Sequence, residues 1–279
     1  MNALDIDQVV KGIRDLPALP SIVLDLISSF EREDVDITIL AEKISRDQAL
    51  AAKTLRLANS SFYGLPAKVK TVKQAIVVLG FDSARALAVA SSVIDSLGDS
   101  GSRQIDVAGF WRHSIAAALC AKSLARHAQL AQDHAFIAGL LHDIGRLVLA
   151  TRFPDQYAEV IDNCARTDAT LAESEVRVLG VDHQRVGQML AEAWKFPPVI
   201  QRAIGQHHAP ATLDLGDVPG VVHVANAMVH ALDLGGEEHV AVPHVLDSAL
   251  DRLRLTEDNL RDVCRETEAQ FEEACRLLM

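Results

Sequence analysis

Apolar residues in this 279-residue chain recur at three- and four-residue spacing and rarely alternate, a pattern that packed helices satisfy and strands do not. Aromatic residues, which strands favour, make up only 4% of it. With 49% hydrophobic and 23% charged residues, the composition is that of a globular protein and excludes a disordered one. The expected fold is therefore all-α, with helices joined by short turns. After Leu16-Pro17-Ala18-Leu19-Pro20 comes the stripe Ile22, Val23, Leu26, Ile27 and Phe30. Asp36 or Thr38 can cap a helix through Ile44, Asp47 one to about Asn59, and Thr71 one from Val72 to Leu79 that Gly80 ends. A long Ala-rich helix should then run to about Leu97. Gly98-Asp99-Ser100-Gly101-Ser102 is the clearest linker. It divides an N-terminal helical lobe, residues 1–100, from a second helical bundle, residues 101–235. Residues 236–279 form a third, acidic unit. From 237 onward it holds 11 Asp and Glu against 5 Arg, and Val245, Leu246, Leu250, Leu253 and Leu260 give it an apolar face for packing on the main body.

Charge and motifs narrow the function classes. Lys and Arg total 27 against 38 Asp and Glu, a formal charge of −11, which repels phosphate backbones unless a local basic patch intervenes. The one helix–turn–helix lookalike, Thr71 to Leu97, carries a single Arg, Arg85, in its second helix, so nucleic acid is not an expected partner. No G-x-S-x-G elbow, dinucleotide-binding glycine pattern or P-loop occurs. Four cysteines without a C-x-x-C pair suit reduced thiols. The N-terminus has no basic region of a signal peptide, and no apolar run approaches the ~20 residues that span a bilayer. The expectation is a cytoplasmic protein with no membrane association.

Histidine carries the chemistry, with 11 in the chain. His142-Asp143 falls in a predicted helix from Ala135 to Thr151. Mid-helix neighbours point about 100° apart, so both can reach one cation; for the dipeptide alone, however, a buried His–Asp pair at a helix boundary is the favoured reading. From Pro197 the stripe Val199, Ile200, Ala203, Ile204 continues into His207 and His208, so both histidines face the core. His183 opens its helix beside Asp182, His113 lies near the start of its own, and Asn226 flanks the stripe Val222, Ala225, Val229. A lone interior histidine is usually a satisfied core residue. Several helices, each with an inward histidine, point instead to one shared pocket, because every buried ring nitrogen needs a partner.

Taken together, His113, Leu141-His142-Asp143-Ile144-Gly145, Asp182-His183-Gln184-Arg185-Val186-Gly187, Trp194-Lys195-Phe196-Pro197 and His207-His208 resemble the HDOD domain, a bacterial signalling relative of the HD and HD-GYP metal-dependent phosphohydrolases. In the first half, Leu16 to Pro20, Ala58 to Gly64 and Leu79-Gly80-Phe81 agree, and the likeness covers about residues 12 to 235. It implies an N-terminal helical lobe on an HD-like bundle, with the C-terminal helices packed outside the shared core. It also implies a regulatory module in bacterial signal transduction, acting through signalling-protein partners and without catalysis. The alternative it leaves open is a metal-dependent phosphohydrolase of nucleotides or cyclic dinucleotides. Carried over by position, His113 matches the first metal-binding histidine, His142 and Asp143 the pair, and His183, His207 and His208 the additional histidines. Asn226 stands where the late Asp belongs. Ala209-Pro210-Ala211 replaces the Gly-Tyr-Pro element, and Arg146 replaces a lysine. The implied cofactor is a divalent metal, Fe, Mn, Zn or Mg. An Asn carbonyl is a weaker donor than a carboxylate, which argues for binding without hydrolysis.

Overall fold

The structure, a computed structural model, describes residues 4–31, 36–59, 68–97, 104–167, 169–212, 214–235 and 242–279. Among these no strand occurs. The first lobe contains α1 (Ile6–Arg14), α2 (Ser21–Ser28), α3 (Ile37–Arg46), α4 (Gln48–Ala58), α5 (Val72–Leu79) and α6 (Phe81–Leu97). The expected caps are in place: Asp36, Asp47 and Thr71 accept amides of Thr38, Leu50 and Gln74. The sequence reading left α1 unassigned; Asp5 and Gln8 form a capping box at its start. The linker at Gly98 to Ser102 and the motif residues Ser60 to Gly64 lie outside the described residues.

The second bundle holds α7 (Val107–His127), α8 (Gln132–Leu141), α9 (Ile144–Arg152), α10 (Pro154–Arg166), α11 (Leu171–Leu179), α12 (His183–Ala193), α13 (Pro198–Gln206) and α14 (Val218–Ala231). Two expected boundaries are corrected. The helix predicted from Ala135 to Thr151 is broken into α8 and α9, so His142 and Asp143 are not mid-helix but form the joint between them. Asp143, with φ −98° and ψ 6°, leaves helical geometry there. The reason is close packing on both sides of the joint. A Cβ on Gly139 would lie 2.7 Å from the Ala117 carbonyl oxygen, and one on Gly145 only 2.0 Å from that of His183. Glycine at these positions lets α8 close on α7 and α9 close on α12, and one straight helix could not meet both surfaces. The second correction is at α13, which stops at Gln206; His207 caps it and His208 lies beyond.

Buried polar contacts join the two lobes. Arg85 on α6, with 3% of its surface exposed, donates to the Ser29 carbonyl and to Asp133 on α8, both at 2.6 Å, and stacks 4.0 Å over Phe30. This lone arginine of the helix–turn–helix lookalike is therefore an internal clamp, with no side chain left for a groove. Among the described residues no single helix is long and apolar enough to cross a membrane. The pair α5 and α6 passes only when joined, and it bends by 113°.

The C-terminal segment forms α15 (Asp247–Leu253) and α16 (Glu257–Leu278). As expected from their apolar face, they pack on the body: Val263, Phe271, Cys275 and Leu278 are buried, with α16 against α7. Arg112 pairs with Glu272 and Arg126 with Glu266, each at 2.6 Å. Much of the remaining acid is paired along α16 itself, Arg261 with Glu257 and Asp258, Arg265 with Asp262, and Arg276 with Glu273.

Candidate metal centre

All seven residues singled out from the sequence meet in one buried cluster. His113 projects from the second turn of α7, His142 from the end of α8, His183 from the first position of α12, His207 and His208 from the end of α13, and Asn226 from the middle of α14. An Asp at a helix start ordinarily accepts the free amides there. Asp143 makes no such bond and points its carboxylate into the centre of the cluster instead. The His142 and His207 ring centroids are 4.9 Å apart.

Two donor groups share Asp143. In the first, Asp143 Oδ1 lies 3.4 Å from His183 Nε2 and 3.3 Å from His207 Nε2; His183 Nε2 is 3.4 Å from His207 Nε2 and 3.0 Å from His208 Nε2. In the second, His142 Nε2 is 3.4 Å from His113 Nε2 and 3.6 Å from Asp143 Oδ2, and Asn226 Oδ1 sits 3.2 Å from His113 Nε2. Donors about 2.0–2.1 Å from a tetrahedral cation lie about 3.3–3.4 Å apart, so the spacing of the first group is that of ligands around one ion.

Tautomers strengthen the assignment. His142 Nδ1 is 2.8 Å from the Gly139 carbonyl and His207 Nδ1 is 2.9 Å from that of Ile204. A carbonyl only accepts, so each Nδ1 carries the proton and each Nε2 presents a bare lone pair. Ring nitrogens and a carboxylate oxygen this close are drawn together by a shared proton or by a cation, and a divalent cation suits the donor set. The residues fit the metal that the resemblance implies.

Charge follows the same geometry. Burial alone would raise the Asp143 carboxyl, but His142, Arg146, His207 and His183 outweigh it and hold the group well below the usual carboxylate range. Burial, reinforced by neighbouring imidazoles, lowers His207 to about 4, His208 to about 2, and His113 well below its usual value. For His183 burial opposes the proton, yet Glu175 and then Asp143 prevail and raise it. The three depressed histidines are neutral at pH 7 and open to a metal.

This predicts a pH dependence for the metal-free protein. A depressed histidine contributes stability above its unfolded value of about 6.5 that is lost as pH falls toward its folded value, while His183 contributes in the opposite sense. Three such groups outweigh one, so Tm should drop by about 5 °C or more between pH 7.5 and pH 5. A calorimetric scan after chelation checks this; an unchanged or rising Tm at pH 5 would show that the rings are not held neutral.

Several cluster residues escaped the sequence reading. Glu175, fully buried on α11, accepts from the His183 backbone amide at 2.8 Å and faces His183 Nδ1 at 2.5 Å, orienting the ring. The signal was available: Glu175 falls in phase with Leu171 and Leu179, a carboxylate on an apolar stripe. Arg146, noted only as a motif departure, donates to Asp143 Oδ2 at 2.8 Å. His230 packs its ring 4.5 Å from that of His113, and His223 bonds to the His207 carbonyl.

Comparison with known proteins gives a consistent picture. The family model for the HDOD domain matches residues 16–210. The chain is similar, with a TM-score of 0.80 and 24% identity over 98% of each chain, to an HDOD domain protein of unknown function from Geobacter sulfurreducens. A candidate phosphohydrolase from Shewanella amazonensis SB2B aligns with a TM-score of 0.70 and 25% identity, over 93% of this chain and 98% of its own. An uncharacterized protein of Treponema pallidum is 27% identical over 270 residues, which is 95% of this chain; the chain spans about half, 51%, of that curated relative's length.

Proposed function

This chain belongs to the HDOD family, and from that premise we propose that it is a regulatory signal-transduction protein whose histidine cluster binds a divalent metal without hydrolysing phosphoesters. The observation that carries this reading is the asymmetry of the cluster. His183, His207 and His208 stand close enough to share one ion, with Asp143 Oδ1 beside His183 and His207. At the other end, the Asp143 oxygen that would bridge to a second ion is already held by the Arg146 guanidinium at 2.8 Å. Asn226 brings no charge to that end. A resident cation at the first set would supply charge to hold four helices together. Phosphoester hydrolysis needs a metal with open coordination for water and phosphate; here His113, His142, His183 and His207 have 1% or less of their surface exposed, and among the donor histidines His208 alone is part-exposed. The regulatory output is through contact with signalling proteins. A candidate signal-transduction protein from Marinobacter aquaeolei VT8 shares the fold, with a TM-score of 0.80 and 22% identity over 98% of this chain and 65% of its own.

The enzyme reading has one observation in its favour: His113, His142 and Asp143 also stand close enough to share an ion. A turnover assay separates the two. Purified protein with added Mn(II) or Mg(II) is expected to hydrolyse nucleotides and cyclic dinucleotides only at background rate. Asn226→Asp should raise affinity for a second metal equivalent by about 10-fold, near 1.4 kcal/mol, because a carboxylate replaces a neutral amide beside His113. Robust metal-dependent turnover by the natural sequence, lost in His142→Ala, would overturn the regulatory reading.

A further inference from the structure

His223 lies one turn before Asn226 on α14; it is buried and both its ring nitrogens are engaged. Nδ1 donates to the His207 carbonyl at 2.8 Å, and Nε2 accepts the backbone amide of Leu246 at 3.0 Å. Only a neutral ring can donate and accept at once, and burial lowers the His223 pKa, which keeps it neutral. Leu246 is the residue before α15, where the C-terminal helices begin. Main-chain atoms of a metal-donor residue and of the C-terminal unit are thus joined through one side chain. A second contact reinforces the join: Gly235, just past α14, lies so close to His113 that a Cβ there would be 2.7 Å from the His113 Cβ. The chain leaving α14 and the chain entering α15 both rest on cluster residues.

We propose that His223 couples cation occupancy of the His183–His207–His208 site to the docking of the C-terminal helices on the bundle. This rests on the metal reading given above. The two states differ in the turn at His207 and His208. A cation among the three Nε2 atoms favours the converged arrangement; without it their lone pairs oppose one another, and the turn is free to splay. His223 follows the His207 carbonyl, and Leu246 follows His223. Occupancy is thereby read out where the C-terminal helices begin. α16 is held by buried Val263, Phe271, Cys275 and Leu278, while Arg112–Glu272 and Arg126–Glu266 are part-exposed and individually weak, so the change read out is a loosening at residues 246–253 and not release of α16.

The test is hydrogen–deuterium exchange on the full chain with and without Zn(II), with bound zinc measured on the same samples by mass spectrometry. Zinc is expected to slow exchange across residues 246–253 by about 10-fold in the natural sequence. In His223→Phe that protection should vanish while zinc stays bound. Because a buried histidine can be needed for folding, Leu246→Pro provides a second route: Leu246 has φ −67°, which proline adopts, so the change removes the amide donor with little backbone adjustment. Loss of zinc-dependent protection over residues 247–253 in both variants supports the proposal. Bound zinc without protection in the natural sequence overturns it and leaves the metal reading standing. Protection retained in both variants overturns His223 as the link. Failure of the natural sequence to bind zinc removes the metal reading, and this proposal with it.

Discussion

Asp143→Asn is expected to weaken Zn(II) binding by about 100-fold or more, near 3 kcal/mol. Among the described residues Asp143 supplies the carboxylate oxygen that lies beside the Nε2 donors, with Oδ1 within 3.4 Å of both His183 and His207, whereas Glu175 meets His183 on its other ring nitrogen. The substitution keeps size and shape and removes the negative charge, leaving neutral imidazoles to hold a dication beside the Arg146 guanidinium. It also leaves Arg146, with 12% of its side chain exposed, facing a neutral partner. Breaking a buried ion pair costs about 3–5 kcal/mol, so the metal-free variant should melt at lower temperature as well. Competition titration against a zinc chelator measures the first effect and a thermal scan the second. Affinity within threefold of the natural protein would show that Asp143 serves Arg146 and not a metal.

Gly145→Ala should be among the most damaging single-methyl changes in the bundle. The added carbon would lie 2.0 Å from the His183 carbonyl oxygen and 2.7 Å from the Gly187 amide nitrogen. Both are backbone atoms of α12, so no side-chain rotation relieves the clash and α9 must move away from α12. Overpacking that shifts backbone belongs with the most destabilising substitutions, and a loss of about 4 kcal/mol or more is expected. In a chain of this length that lowers Tm by roughly 10 °C. The same shift separates Asp143 from His183, so zinc affinity should fall even in the fraction that folds. A melting temperature within 2 °C of the natural protein would refute the close approach of α9 and α12.

Residues with strong local signals were legible one by one. Asp36, Asp47 and Thr71 cap where their types predicted, because a cap is a bond between positions two or three residues apart. Helical phase through Val199, Ile200, Ala203 and Ile204 carries His207, the cap of α13, to the inward face, whereas His208 lies beyond the helix and is half-buried. The break at His142 and Asp143 was not legible. Its cause is the Ala117 carbonyl on one side and the His183 carbonyl on the other, and neither is near in sequence. Nothing beside Arg85 along its Ala-rich helix marks it as an internal clamp; only the fold sets Asp133 and the Ser29 carbonyl against it.

What belongs to the sequence alone is the all-helical class, the inward face of each histidine-bearing helix and the family likeness, since these depend on periodicity and residue type within short windows. What the tertiary structure decided is which atoms meet. The proton on His207 Nδ1 is set by a carbonyl three residues back, but the direction of its bare Nε2 is meaningful only because α9 and α12 bring Asp143 and His183 to the same point. Arg146 on the second Asp143 oxygen, Glu175 behind His183, and His223 between His207 and Leu246 are likewise products of packing. Periodicity specifies a face to within about 100° of helix rotation, whereas a metal donor set is defined to tenths of an ångström, and only close-packed helices supply that precision.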